Sequence, residues 1–319
     1  MLNILRNPFS IRQNIVLRKT LIALSMAAAT ALPAAVCAQT AAPAAAPPSD
    51  HTITGNVGLF SEYRFRGISQ TFAKPAIQGG FDYSHSSGIY LGNWNSNISS
   101  GAGFPAGNIE MDLYGGWKKS WDDWGLDVGF IYYYYTGTDA NVANGTTGYY
   151  FTNPRNPTKT STGAVSNKEL YVGGSWKWLS AKYYYSVDDY FSLPGTKGSN
   201  YLDIAANYDL GAGWTLVGHV GSLRVKGYSL AADATKPNYT DWKIGVTKDI
   251  SGWVFGASYI DTSAKGSCNA ANPGFYCFAN TSGAATSLNA GGIAGASTAG
   301  YKFKDAGKGV VVLSVSKSF

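Results

Sequence analysis

Glu62, Arg64 and Arg66 stand at alternate positions near the start of the patterned part of the chain. In an extended segment, residues two apart share a face at about 6.8 Å spacing, so one carboxylate and two guanidinium groups would form a row. Beside water, that row is a charged constriction able to orient a passing solute. Inside a closed sheet it is instead a wall of Arg–carboxylate pairs that fills the interior. Further ionisable residues recur on the same alternation. The acids are Asp82, Glu110, Asp112, Asp127, Glu169, Asp188, Asp203 and Asp241, and the bases are Lys118, Lys177, Lys182 and Lys243. A shared interior lined by them would be mixed in charge with an excess of acid.

Little else in the chain has the spacing of a reactive centre. Hydrolysis at a lipid surface would need a serine, a histidine and an orienting polar group close together. Of the three histidines, His51 precedes the patterned region, His85 falls in a short turn and His219 lies on an inward strand face. An interior histidine held by polar neighbours is the simpler reading of His219, and no catalytic residue is assigned. No metal-ligand spacing, phosphate-cradling loop or nucleotide motif is present, so neither a metal nor a cofactor is expected.

Residues of one charge class can be gathered on one face only by elements with two unlike faces. From Ile53 onward the sequence alternates with period two, the mark of strands. In 109–118, Ile109, Met111, Leu113, Gly115 and Trp117 oppose Glu110, Asp112, Tyr114, Gly116 and Lys118. The first segment places Val57, Leu59, Tyr63 and Phe65 opposite Asn56, Glu62, Arg64 and Arg66. Similar segments fall at 76–84, 89–97, 124–135, 168–177, 181–188, 200–210, 214–222, 239–248, 253–260 and 309–319, which makes twelve. Connections after even-numbered segments are short and those after odd-numbered ones are longer, notably 136–167 and 261–308. Loops sorted by length describe an all-β, antiparallel up-and-down barrel crossing an outer membrane, with short periplasmic turns and long extracellular loops.

Composition points the same way. Charged residues make up 14% of the 319 and aromatics another 14%, with 39 glycines and 22 tyrosines. A water-facing domain carries about 25% charged residues. No run after residue 38 reaches the ~20 apolar residues of a spanning helix, which excludes a helical transporter. Of the nine tryptophans, Trp94, Trp117, Trp121, Trp124, Trp176, Trp178, Trp214, Trp242 and Trp253, most are expected at strand ends, where a lipid–water boundary would hold them.

The N-terminus reads as a secretory signal over 1–38. Arg6, Arg12, Arg18 and Lys19 precede an apolar stretch from Leu21 to Leu32, and Val36-Cys37-Ala38 offers a cleavage site. Without those four bases the formal charge of +6 falls to +2, so nucleic acid is not an expected partner. Residues 39–51 form an Ala/Pro-rich lead-in, and the barrel is expected over 52–319. Cleavage removes Cys37 and leaves Cys268 and Cys277, which are expected to pair as a disulfide within the last long loop in an oxidising compartment.

The segment 55–99 resembles the opening of the TorF family of porin-like proteins, also catalogued as Gcw_chp. The residues that carry the likeness are Tyr63, Arg66, Gly67, Ser69, Gln70, Pro75, Ala76, Gln78, Gly79, Tyr83, Gly88, Tyr90 and Trp94. The likeness covers about the first quarter of the mature chain, and the chain departs from the family's pattern in its long segments 136–167 and 261–308. It implies an outer-membrane barrel of a Gram-negative bacterium and supplies no catalytic site or substrate. The last strand ends in Phe319, which resembles the terminal aromatic by which the barrel-assembly machinery recognises such strands; Lys317 departs from that signal. Outer-membrane lipid and lipopolysaccharide are the expected surroundings.

The constriction or lumen candidates are therefore Glu62, Arg64, Arg66, Asp82, Glu110, Asp112, Glu169, Asp203 and Lys243. The leading expectation is a channel for passive diffusion of small hydrophilic solutes. A closed barrel serving adhesion or envelope structure through its long loops is the alternative, and a lipid-modifying enzyme ranks third.

Overall fold

The computed structural model describes residues 49–99, 107–138, 163–227, 237–264, 266–268, 274–280 and 302–319. The leader at 1–38, most of the Ala/Pro-rich lead-in and most of the 136–167 loop lie outside the described residues. Twelve strands form the barrel: β1 (His51–Phe60), β4 (Ala76–His85), β5 (Ile89–Asn97), β6 (Ile109–Trp121), β7 (Trp124–Thr136), β8 (Ser166–Trp176), β9 (Leu179–Ser186), β10 (Asn200–Gly211), β11 (Trp214–Arg224), β12 (Tyr239–Ile250), β13 (Trp253–Thr262) and β16 (Val310–Ser318). Two small hairpins belong to loops, β2 (Arg64–Phe65) with β3 (Ile68–Ser69), and β14 (Cys277–Asn280) with β15 (Lys302–Asp305). The barrel order is β1-β16-β13-β12-β11-β10-β9-β8-β7-β6-β5-β4, with each strand antiparallel to its sequence neighbours in the barrel.

Closure occurs where the two ends of the barrel sequence meet. β1 pairs with β16 from Asn56↔Ser318 to Phe60↔Ser314. Beyond the last strand residue, Gly55 and Phe319 exchange both backbone hydrogen bonds, at 2.8 and 2.9 Å. Closure leaves no edge strand, so backbone polar groups at membrane depth are satisfied within the sheet.

Each strand obeys the alternation of its sequence. On β6, Ile109 and Leu113 are exposed on the outside while Glu110, Asp112 and Tyr114 are buried inside. The outer face is apolar all round, with Ile77, Phe81, Val128, Leu170, Ile244 and Leu313 among its exposed side chains. An apolar exterior around a polar interior inverts the soluble pattern and is the surface of a membrane-spanning barrel. Trp121, Trp124, Trp176, Trp178, Trp214 and Trp253 ring the short-turn end, still exposed. Trp94 departs from the expected girdle. It points inward, is 2% exposed, and meets the Tyr63 ring edge-on at 5.4 Å.

The first strand is shorter than its alternation suggests. β1 begins at His51, inside the span expected for the lead-in, and ends at Phe60. Residues 61–75 leave the wall and fold into the barrel. Glu62, Tyr63, Arg64, Phe65 and Arg66 are all buried, so Tyr63 and Phe65 do not face lipid. An extended strand would keep alternate residues outside; a loop surrounded by wall on every side buries consecutive ones.

Candidate functional site

The tip of the inward loop is the β2–β3 hairpin, with Arg64 opposite Ser69 and Phe65 opposite Ile68. Its two turn residues, Arg66 and Gly67, have φ of 48° and 79°. Positive φ at both central positions matches the right-handed twist of a tight hairpin. Glycine adopts this conformation freely; arginine does so at a cost that its contacts must offset. Gly67 is constrained a second way, because a Cβ there would collide with Thr262 and lie 2.8 Å from the Asp241 Cβ.

This hairpin starts at the β1–β4 seam and reaches the opposite wall. Arg66 makes a two-pronged pair with Glu169 of β8, Nη2 to Oε2 at 2.7 Å and Nη1 to Oε1 at 3.1 Å. Its guanidinium also lies over the rings of Tyr201 of β10 at 4.2 Å, Phe65 at 4.8 Å and Tyr184 of β9 at 5.2 Å. Two parallel charge-assisted bonds and aromatic faces together satisfy a planar cation that has left water. Arg64 is held differently. It donates to the carbonyls of Gly67 and Ala306, at 3.0 and 2.9 Å, and pairs with Glu62 at 3.1 Å. The three residues therefore do not line one side of a strand. Arg64 and Glu62 brace the loop near the last long loop, whereas Arg66 crosses the lumen.

The last long loop backs this arrangement. Ser69 N–H donates to the Ala306 carbonyl at 2.9 Å, and Cys268 is bonded to Cys277 with Cα atoms 5.2 Å apart. Asp305 sits outside the barrel wall on β15. Burial pushes its carboxyl up from the ordinary range, against the opposing effect of the Gly307 N–H it accepts at 2.9 Å.

Around the hairpin, the long-loop half of the lumen is packed solid. Glu110 and Asp112 of β6 are 0% and 1% exposed, as deeply buried as Tyr133 and Tyr135 across the β6–β7 pair. Phe191 has left-handed backbone (φ 46°) and packs between the Phe65, Tyr133 and Tyr135 rings. His219 of β11 is bound on both nitrogens, Nε2 to Asp241 at 2.7 Å and Nδ1 to Asp203 at 3.2 Å, with the Tyr201 hydroxyl 3.1 Å away. Lys243 stands directly across from His219 on β12, beside the same two acids.

The short-turn half is lined instead by a polar network in which Lys182, Tyr114 and Tyr171 are buried and Asp82, Tyr90, Lys118 and Asp127 are half-buried. Lys182 of β9 pairs with Asp127 of β7 at 2.6 Å. Tyr90 donates to Asp127 at 2.6 Å and shares a short contact with the Tyr171 hydroxyl. Tyr114 donates to Asp82 at 2.6 Å, and Lys118 lies over the Tyr90 ring at 5.2 Å. Two expected interior residues fall elsewhere. Lys177 is in a short turn beside Asp123, and Asp188 lies in a loop beside Lys168, all four well exposed. The Asp188 carboxyl is held below its ordinary range, first by the Asp189 N–H it accepts and then by Lys168.

Charge alternation points to the strand acids and bases found inside, Lys177 and Asp188 excepted, but of the tyrosines around them it places only Tyr114 inward, and it leaves Asn167 out. The run Tyr132–Tyr135 held the signal, since period two sends Tyr133 and Tyr135 inward. The positive-φ hairpin had a signal as well, in an Arg-Gly pair flanked by apolar residues.

Solved structures similar to this chain include a NanC porin, 10% identical over 84% of this chain and 99% of that one, with a TM-score of 0.44. A KdgM porin in complex with disordered oligogalacturonate is 8% identical over 84% and 98%, TM-score 0.41. The P. putida toluene transporter TodX is 9% identical over 85% and 90%, TM-score 0.37. No curated protein matches the chain in sequence. Residues 44–289, most of the barrel, match the family model of bacterial proteins of unknown function designated Gcw_chp, and the chain belongs to that family.

Proposed function

We propose that this protein is a porin-like channel of the Gram-negative outer membrane that admits small hydrophilic solutes by passive diffusion, with its first loop as the occluding element. The observation that carries this reading is the nature of the closure. The lumen is blocked in its long-loop half by a fifteen-residue segment, 61–75, that is tied to the far wall by side chains. In its other half, the wall carries paired groups of both charge signs, with Lys182 buried and Asp127 partly open. A barrel built only as a scaffold needs no loop drawn into its lumen beside a lining of ionisable groups. The short turns then face the periplasm and the long loops the exterior, with lipopolysaccharide around the outer rim and the strand ending at Phe319 presented to the assembly machinery. The resemblance of 55–99 to the TorF porins supports the same assignment, and the role is transport without catalysis.

The test is planar-bilayer conductance of the refolded protein in asymmetric salt, with the wild type beside a variant whose first loop is released. Single-channel steps in the released variant, with a reversal potential on the cation side because acids exceed bases in the lumen, are the expected result. A second reading, a permanently closed barrel acting through its outer loops, is favoured by the solid packing of Glu110, Tyr133 and Tyr135. Silence of both proteins in the bilayer would establish that reading and sink the channel.

A further inference from the structure

Most interior charges have a partner: Arg66 with Glu169, Arg64 with Glu62, Lys182 with Asp127, His219 with Asp203 and Asp241. Glu110 and Asp112 do not. Among the described residues no Lys, Arg or His is within ion-pair distance of either, and Arg66, whose field reaches Asp112, is committed to Glu169. The two residues share the inner face of β6 with their Cα atoms about 6.8 Å apart, so their carboxylates can turn toward a common point between them. They are covered by the first loop, and two hydroxyls are directed at Glu110, that of Tyr135 on β7 and that of Tyr63 on the loop, so its neighbours are neutral oxygens and not a base. Both Glu110 oxygens and Asp112 Oδ1 are out of solvent without a hydrogen bond of ordinary geometry.

Two neighbours carry the same deficit independently. Tyr133 faces Asp112 across the β6–β7 pair, 0% exposed, and its hydroxyl is unpartnered. Asn167 faces Tyr133 across the β7–β8 pair, equally buried, with neither amide oxygen nor amide nitrogen bonded. Buried polar groups are nearly always satisfied, so unsatisfied ones in one cross-strand row with Asp112, beside two carboxylates that have no base, mark a place for something they bind.

We propose that Glu110 and Asp112 hold a hard divalent cation of the calcium class, with hydroxyl and amide oxygens around them and the first loop as the cover. Two carboxylates supply the charge to balance two positive units. The donors are all oxygen, which suits hard cations and not the nitrogen- and sulfur-seeking transition metals. Magnesium keeps several waters and a strict octahedron, whereas calcium accepts an irregular set of carboxylate and amide oxygens at 2.3–2.6 Å, roughly. No group of three His, Cys, Asp or Glu with metal-site spacing exists among the described residues, so the site depends on the neutral oxygens to complete its shell. This inference does not rest on the channel reading; a closed barrel would bind the ion equally.

The experiment uses the full mature chain refolded in zwitterionic detergent free of lipopolysaccharide, with calcium or a chelator present during refolding so that the ion is in place before the loop closes. Terbium serves as the luminescent calcium surrogate, because the tyrosines at the site can sensitise it. Tyrosine-excited terbium emission that calcium displaces, together with a heat-conversion temperature several degrees higher in calcium than in chelator, is the expected result. Both should be lost in Glu110→Gln/Asp112→Asn, whose neutral, near-isosteric side chains keep the packing. Equal conversion temperatures with and without calcium in the wild type would overturn the proposal, pointing to carboxyls neutralised by protons. Emission that persists in the double variant would overturn it too, by placing the ion elsewhere.

Discussion

Arg66 and Glu169 meet head-on although 103 residues separate them, one at the tip of a loop hairpin and the other on the opposite wall of the barrel. Their side chains are 2% and 0% exposed. A buried pair of this kind is weak evidence of added stability, because desolvation offsets much of the attraction, yet removing one partner is costly. The pair therefore acts as a latch: it favours the one loop position in which both charges are satisfied.

Replacing Arg66 by alanine strands Glu169, at about 3–5 kcal/mol against the docked loop. The barrel has its own closed hydrogen-bonded sheet, so the loop should leave before the barrel unfolds. Trypsin reports this directly. Cleavage after Arg64 should be absent in the folded wild type and rapid in Arg66→Ala, while both proteins still shift on heating in a detergent gel. Equal protection of the two would show that the latch does not hold the loop.

Gly67→Val probes the same loop by shape instead of charge. The backbone there is left-handed, and the added carbon would collide with Thr262 and crowd Asp241. A β-branched residue at positive φ adds roughly 1–3 kcal/mol of strain. The loop should be displaced as in the arginine variant, with matching trypsin sensitivity. Retention of wild-type protection would mean that the lumen has slack near β12 and β13.

Serine at both Cys268 and Cys277 should leave barrel assembly intact. The bond closes a short loop, so it constrains the unfolded chain by roughly 2–3 kcal/mol at most, and only within that loop. Mass spectrometry of unreduced wild type should find the linked peptide, and the double variant should keep the wild-type heat-conversion temperature within a few degrees. A collapse in folding yield would show that this loop guides barrel closure.

The raised carboxyl of Asp305 makes docking of the β14–β15 hairpin pH dependent. In the docked state the acid binds a proton more readily than in the free loop, so docking is favoured at low pH and weakens as pH rises through the carboxyl's docked range. Hydrogen-exchange protection of 302–305, corrected for intrinsic rates, should fall over that rise in the wild type and stay level in Asp305→Asn. A level profile in both would remove the carboxyl from the docking equilibrium.

The sequence by itself determined the barrel. Twelve period-two segments with short and long connections in alternation leave one topology, because a strand with one apolar and one ionisable face must put the first to lipid and the second inward. It also determined which strand residues are interior: Asp82, Glu110, Asp112, Glu169, Asp203 and Lys243 each follow from the parity of their own strand. The tertiary structure alone decided where β1 ends. Alternation slips at Phe60 and Ser61 and resumes through Arg66, and although Arg66-Gly67 marks a tight turn, nothing local says whether that turn stands on the wall or inside the lumen. That turn depends on partners far away in sequence, Glu169, Tyr201 and the Ala306 carbonyl, which exist as a receptor only after the barrel has closed. The same long-range assembly left Glu110 and Asp112 without a base. Parity can place a charge inside, but only the folded arrangement decides what stands beside it.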